Sequence, residues 1–491
     1  DREMKILQKR GETLELLCMP SELDFEIGDY IKLGEENSFL LAQVVDVGYV
    51  DLPGGVEELL RELIVAEVDG VSSLDPYNTS SLSMMVREVR CVTAKVRAIF
   101  HNGSLAQTSP WLPSRYTCTH EKAGPHLLHQ LILGHENQFL FCPGTVGGEP
   151  INLPLTRLDG SLTIITGKKE SGKSHLAKII VEGIVSNGGT VLVLDVNGEY
   201  LSLDKRVDGG RSDLADALTL LHPGRNFTAS LRMMGLKTFH DIMEHVYGTP
   251  ATSLRELGRI WKKLEKECGD FCLDDLMDAV ENEPMNEAVR EALLSRLESI
   301  NSSGFISDDE PTDLAELLNP RPGGNVTVVN LSKLLPSTRR LVVEYLLSHL
   351  SMLLSSNKIE PLFLLAEEAH LYLRETYWED LVTRMRHIGM FPIFVTNQPD
   401  TIPELVYRQA DNIFLFNFTN DTDLEKISKI SKIDSETVKL LVKKMPPRRC
   451  LVLGKIVSDI PLMLKVRTSS LMTMGQTKLF FKRSSAAKDL R

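Results

Sequence analysis

Two groups of residues in this chain have the types and spacing for phosphate chemistry. The first is Gly167-x-x-x-x-Gly172-Lys173-Ser174. It follows a short apolar run, Leu162–Thr166, and precedes a helical pattern, His175–Val185, and a second apolar run, Val191–Asp195. Strand, glycine-bounded loop, helix and strand is the context in which such a loop cradles phosphates. Gly167 and Gly172 let backbone N–H groups turn inward where a Cβ would block the approach. The same N–H groups open a helix, whose positive end favours an anion. Lys173 is expected to reach the β- and γ-phosphates and the Ser174 hydroxyl to ligate Mg²⁺. Lys168, Lys169, Glu170, Ser171 and His175 complete the stretch expected to surround a nucleoside triphosphate.

The second group is Glu367-Glu368, at the end of the apolar run that follows Pro361. A triphosphate site needs one carboxylate in the Mg²⁺ shell beside Ser174 and another to polarise the attacking water. Glu367, on the strand, suits the metal and Glu368 the water. Alone, two such glutamates would read as a solvated turn; beside this phosphate loop they read as its partners. Arg384 and Arg386 follow, either as surface residues or, as in many ring ATPases, as a group sent into a neighbour's site. Asn397 is placed to hydrogen-bond a γ-phosphate or water, or to start an Asn-x-Pro turn. Asp195-x-x-Gly198 with Asn357-Lys358-x-Glu360 hints at a GTPase. The second tetrad precedes the carboxylate strand and ends in Glu, so that reading is rejected.

The elements that must hold these groups are spread over 491 residues, enough for two to four domains. Residues 1 to about 100 carry short β-rich segments, Thr13–Met19, Tyr30–Leu33, Phe39–Val50 and Glu88–Phe100, with one helical stretch, Val56–Val68. That spacing predicts a small barrel or sandwich. Residues 101–155 read as a junction with five histidines, His101, His120, His126, His129 and His135, and with Cys118 and Cys142. Neither Cys118-x-His120 nor His126-x-x-His129 has a zinc spacing, so ordinary surface and core histidines are expected.

From about 212 the pattern turns helical. Ser253 and Glu256 suggest a capping box before the stripe Leu254, Leu257, Trp261, Leu264 and Cys268. A second stripe runs through Val289, Leu293, Leu297 and Ile300, and breakers close the segment at 319–325. A helical bundle inserted into the nucleotide-binding domain would explain why the carboxylates lie so far beyond the phosphate loop. Strands at Val326–Leu331, Leu362–Ala366, Phe391–Thr396, Ile413–Phe418 and Leu451–Leu453, with a helix at Arg339–Leu354, predict a mostly parallel, doubly covered α/β sheet.

Composition narrows the setting. No apolar stretch approaches the ~18–20 residues of a membrane span, and no signal-peptide core opens the chain. Seven scattered cysteines suit a reducing, cytoplasmic setting. The net charge of −12 hides an asymmetry: residues 443–491 hold twelve basic and two acidic residues on an otherwise acidic body. Such an end suggests a polyanion contact, a clamp onto a neighbouring subunit, or a solvated tail. Lys205, Arg206 and Arg211 stand in a basic, glycine-containing loop.

Taken together, Gly167–Ser174, LDVNGEY (Leu194–Tyr200), AEEAH (Ala366–His370) and MRHIGMFPIFVTNQP (Met385–Pro399) resemble the HerA family of hexameric DNA translocases, within the HerA–FtsK group of P-loop ATPases. The resemblance implies a RecA-like P-loop ATPase core with an N-terminal small β-barrel and an inserted helical bundle. It divides the chain into a barrel (1–100), a junction (101–155), the first core half (156–211), the inserted helices (212–320), the second core half (321–458) and a basic extension (459–491). It makes Glu368 the catalytic base, Arg386 a finger acting in trans and Asn397 the polar sensor, with ATP and Mg²⁺ as ligands. Double-stranded DNA, a homohexameric ring and a NurA-like nuclease are the implied partners, no membrane is implied, and end resection and repair are the implied outcome. Lys205, Arg206 and Arg211 are the candidates for the DNA-contacting channel loop such a ring implies. A HerA-like ATPase scaffold gating an antiviral effector is the alternative. Asn397 stands where the family usually has Gln, and Asn417 where it commonly has Arg. The family's small residues are replaced by Lys168, Lys169 and Glu170.

Overall fold

The computed structural model describes residues 4–18, 25–35, 37–49, 90–101, 104–106, 111–114, 120–373, 375–418, 420–430, 433–443 and 445–472. The helix expected at Val56–Val68, Cys118 and the residues beyond 472 lie outside them. The chain forms two compact units, one of residues 1–136, 144–151 and 417–465, the other of residues 137–143, 152–416 and 466–491.

In the first unit an antiparallel sheet runs in the order Lys5–Arg10, Thr13–Cys18, Arg90–His101, Ser38–Tyr49, Tyr30–Glu35, His120–Lys122. Alternation places Leu14, Leu16, Leu33, Leu40, Ala42, Val92 and Ala94 in one apolar cluster. The strand Lys5–Arg10 was not anticipated. Two junction histidines serve this unit's structure: His120 Nε2 accepts from Met4 N–H at 2.9 Å, and His101 lies 2.8 Å from the Ser38 hydroxyl. Leu462–Val466, within the stretch expected to be a basic extension, is instead a strand paired antiparallel with Arg449–Gly454. Its alternating burial carries Lys465 outward, so charge there does not oppose strand formation.

The second unit is built on seven parallel strands. In chain order they are β1 (Thr163–Thr166), β2 (Thr190–Asp195), β3 (Leu218–Leu221), β4 (Asn325–Asn330), β5 (Leu362–Glu367), β6 (Met390–Thr396) and β7 (Asn412–Leu415). Their order in the sheet is β3-β4-β2-β5-β6-β1-β7, and every pairing is parallel. Central strands are buried along their whole length, which is why they read as continuous apolar runs. Helix α1 (Lys173–Ser186) follows β1, and a later helix, Pro336–Ser355, follows β4.

Between β3 and β4 stand the helices Leu231–His245, Ala251–Glu267, Leu273–Asn282 and Glu287–Asn301. They bury the expected stripes through Leu254, Leu257, Trp261, Leu293, Leu297 and Ile300. Three details correct the sequence reading. The helical stretch does not begin at 212, because Leu218–Leu221 is the edge strand β3, paired with β4. Ser253 and Glu256 form no capping box: the helix starts at Ala251 after Pro250, and Ser253 is buried inside its first turn. Cys268 is exposed beyond the helix end and leaves the stripe.

Candidate nucleotide site

A parallel sheet gathers the residues that follow its strands' C-terminal ends at one edge, where α/β folds bind ligands. Here β1 releases the phosphate loop, β2 the turn from Val196 to Tyr200, β5 the glutamate pair, and β6 Thr396 and Asn397. Strand β6 lies between β1 and β5. At the usual strand spacing this separates the phosphate loop from the carboxylates by about 10 Å. That is room for a phosphate and a water.

The loop depends on its glycines. Phe416 N–H donates to the Thr166 carbonyl at 2.8 Å, pressing Phe416 against the next residue, so a Cβ at Gly167 would collide with it. Gly172 opens α1 at φ +117°, which L side chains rarely adopt. Lys173 Nζ donates to the Lys168 carbonyl at 2.8 Å. Burial lowers its pKa to about 8, against the pull of Glu368, Glu367 and Glu199 towards the charged form. The Thr166 and Ser171 hydroxyls are buried with no hydrogen-bond partner among the described residues. A phosphate ester supplies acceptors for such donors.

Glu367 ends β5 and is 2% exposed. Its carboxylate accepts from the Tyr200 hydroxyl at 2.9 Å and from Asn197 Nδ2 at 3.4 Å, and it hydrogen-bonds Ser174. Burial first, then repulsion from Glu199 and Asp195, raises its pKa to about 8. Ser174 and Glu367 together offer hard oxygen donors. Mg²⁺ takes one or two protein oxygens of this kind, with phosphates and water completing its octahedron, so the pair fits that ion. Bound there, Mg²⁺ would supply charge for the phosphate oxygens and favour the ionised Glu367.

Glu368 leaves the strand in the left-handed region, φ +47°, which turns its side chain away from the course of β5. Its carboxylate lies 3.3 Å from the Thr396 hydroxyl and 3.6 Å from His370 Nδ1, and it accepts from the Asn397 backbone N–H. Burial raises its pKa, opposed by His370 and Lys173. A carboxylate that is partly buried, raised in pKa and held by a hydroxyl and a backbone donor can take a proton from water.

Sequence reasoning missed one member and saw another, Asp195, only as a strand-end group. Lys178, on α1, is 1% exposed and sits 5.3 Å from the centre of the Tyr200 ring, with Glu199, Glu367 and Asp195 as its charge partners. A lysine two turns into a helix reads as a surface residue; only its place on the sheet-facing side betrays it. Asp195 accepts from the N–H groups of Gly198, Glu199 and Tyr200 at 2.7, 3.1 and 2.9 Å. It therefore folds the turn that presents Tyr200. The GTPase hint fails here, because this carboxylate is spent on its own turn.

Arg386 is not brought to this edge. It precedes β6, and its guanidinium donates to Asp411 Oδ2 at 2.7 Å, the same oxygen that accepts from Leu162 N–H. All three residues lie before their strands, at the opposite edge of the sheet. Arg384 pairs with Asp380. In the loop after β2, Arg206 pairs with Asp213 and Arg211 with Asp216, while Lys205 is exposed.

Strand, phosphate loop, helix and a carboxylate-ended strand one place removed define a P-loop nucleoside triphosphatase core. Comparison with known proteins adds likenesses of sequence and fold. Residues 165–350 match the family described as helicase HerA, central domain. A curated relative, the DNA double-strand break repair helicase HerA of Sulfolobus acidocaldarius, is 23% identical over 344 residues. The match takes in 64% of this chain and 66% of that relative's length, just short of two thirds. Among solved structures, VirB4 of Thermoanaerobacter pseudethanolicus superposes with a TM-score of 0.53 at 13% identity, over 68% of this chain and 98% of that one. The plasmid coupling protein TrwB in complex with ADP and Mg²⁺ gives 0.50 at 13% identity, over 72% and 94%. These two likenesses concern the fold.

Proposed function

We propose that this protein hydrolyses ATP and uses the energy to move along double-stranded DNA as a homohexameric ring. The observation that carries the proposal is the convergence of Lys173, Ser174, Glu367 and Glu368 at one sheet edge, in a chain whose residues 165–350 match the HerA central domain. In this reading the N–H groups of residues 167–175 and Lys173 hold the ATP phosphates. Ser174 and Glu367 hold Mg²⁺, Glu368 takes the proton of the attacking water, and Asn397 orients that water. Arg386 acts on the neighbouring subunit's ATP, exchanging Asp411 for phosphate. Lys205, Arg206 and Arg211 contact the DNA backbone without reading sequence. The antiparallel unit serves as a small barrel that docks a NurA-like nuclease, the helices after β3 as an inserted bundle, and the cytoplasm as the site of end resection.

A second reading has one observation in its favour. Two of the three loop cations, Arg206 and Arg211, are already paired with aspartates, which suits a ring scaffold that gates an effector better than a DNA track. Linear duplex DNA added to the protein at low salt separates the two. The motor reading requires a rise in ATP turnover that fades as salt displaces the phosphate contacts. Turnover indifferent to DNA removes the motor and leaves the scaffold.

A further inference from the structure

The segment after Val466 lies along the phosphate-binding helix and ends on the loop that follows β2. Arg467 donates from Nε to the Cys142 carbonyl at 2.9 Å and pairs through Nη2 with Glu182, two turns along α1 from the phosphate loop. Ser469 N–H donates to His175 Nε2 at 2.7 Å, and the Arg467 carbonyl lies 3.0 Å from the same nitrogen. His175 is the residue next to Ser174, in the first turn of α1. Farther on, Leu471 is buried, Val207 N–H donates to the Ser470 carbonyl, and Met472 N–H donates to the Lys205 carbonyl, each at 2.8 Å. One short stretch of chain therefore touches the N-terminal turn of the phosphate-binding helix and the basic loop 205–211. Those two elements leave different strands, β1 and β2.

We infer that residues 467–472 form a strap that couples occupancy of the phosphate loop to the posture of the 205–211 loop, with His175 as the positioning residue that reports between them. The physical basis is linkage. A phosphate settling onto the N–H groups of the first turn fixes that turn, and a fixed turn fixes the imidazole that accepts from Ser469. Ordering the strap costs conformational entropy once, so a strap already docked favours the phosphate and a bound phosphate favours the docked strap. The His175 imidazole itself touches no phosphate. Its ring sets the angle at which Ser174 leaves the loop.

The inference rests on the nucleotide-site reading, and the test separates the two. Hydrogen exchange of the full-length protein is followed with and without ATPγS and Mg²⁺, alongside the dissociation constant of the same nucleotide. In the wild type, nucleotide should slow exchange in peptides covering both 467–472 and 205–211. His175→Ala should erase that response at both places and weaken nucleotide binding about fivefold, the loss of one net hydrogen bond. His175→Gln, whose side-chain oxygen can still accept from Ser469, should restore both readouts. Arg467→Leu, which frees the strap without touching α1's first turn, should weaken binding by a similar factor and guards against a His175 variant that fails to fold. If the wild type binds nucleotide but neither segment changes exchange, the coupling is wrong and the site stands. Equal behaviour of the Ala and Gln variants also overturns it. A wild type that binds no ATPγS at all sinks the nucleotide-site reading beneath it.

Discussion

Charge is concentrated at this site before any ligand arrives. Asp195, Glu199, Glu367 and Glu368 share one sheet edge with two buried lysines, Lys173 and Lys178. Burial, helped by repulsion from Glu199, holds the pKa values of Asp195 and Glu367 up, and burial pushes the lysines down. Glu367 keeps its proton in the folded chain up to about pH 8, whereas the unfolded chain releases it near the ordinary carboxylate value. Between those two values the folded state holds more protons than the unfolded state, so stability falls as pH rises from about 5 to 8. Melting temperature of the nucleotide-free protein should decline across that window, and Glu367→Gln should flatten the decline. Lys178→Met leaves three acids facing a thioether. The expected loss is about 3–5 kcal/mol, the scale of breaking a buried charge cluster by removing one partner, read by denaturant titration. The phosphate loop and the glutamate pair were legible in the sequence because glycine, lysine and tandem carboxylates have few other uses beside apolar runs. Lys178 was not, and Tyr200 and His175 stood out only as members of their motifs, because their contacts come from what the sheet and the strap bring to them.

Strands and helices carry the next constraint. Phe416, just past β7, presses on Gly167, just past β1, so the loop's entry is shaped by a neighbour far away in sequence. Gly167→Ala should cost about 1–3 kcal/mol of stability through overpacking. It should also lower ATPγS affinity more than tenfold, by displacing the N–H groups behind it, as read by fluorescent-nucleotide titration. Buried parallel strands announced themselves as apolar runs. The edge strand β3, only Leu218–Leu221, did not, because four residues beside a helix-rich stretch carry no period. The capping box at Ser253 failed for a related reason. Pro250 already occupies the N-cap position and Ala251 begins the helix, so Ser253 falls inside the first turn where it cannot cap.

Across the whole molecule, the reading turns on assembly. Arg386 stands at the sheet edge opposite the phosphate loop, so within one subunit it cannot reach that subunit's nucleotide. Its proposed role exists only in a ring. Native mass measurement with ATPγS and Mg²⁺ should return six times the 54.9 kDa chain. Arg386→Ala should leave that mass intact while turnover falls about 10³-fold or more, as for other arginine fingers. A monomer under those conditions would retire the trans role. The sequence could name the arginine but not its edge, because that depends on which side of β6 it stands.

The central claim is that Glu368 performs the proton transfer at a site that Lys173 and Ser174 have already loaded with ATP. Single-turnover ATP hydrolysis and ATPγS affinity, measured side by side for the wild type and Glu368→Gln, test it most directly. The account predicts a rate lower by about 10²–10⁴ with affinity changed by less than about threefold, since the amide keeps the size and the hydrogen bonds of the carboxylate. A variant that hydrolyses ATP at the wild-type rate would contradict it, and so would a rate loss fully matched by a loss of binding.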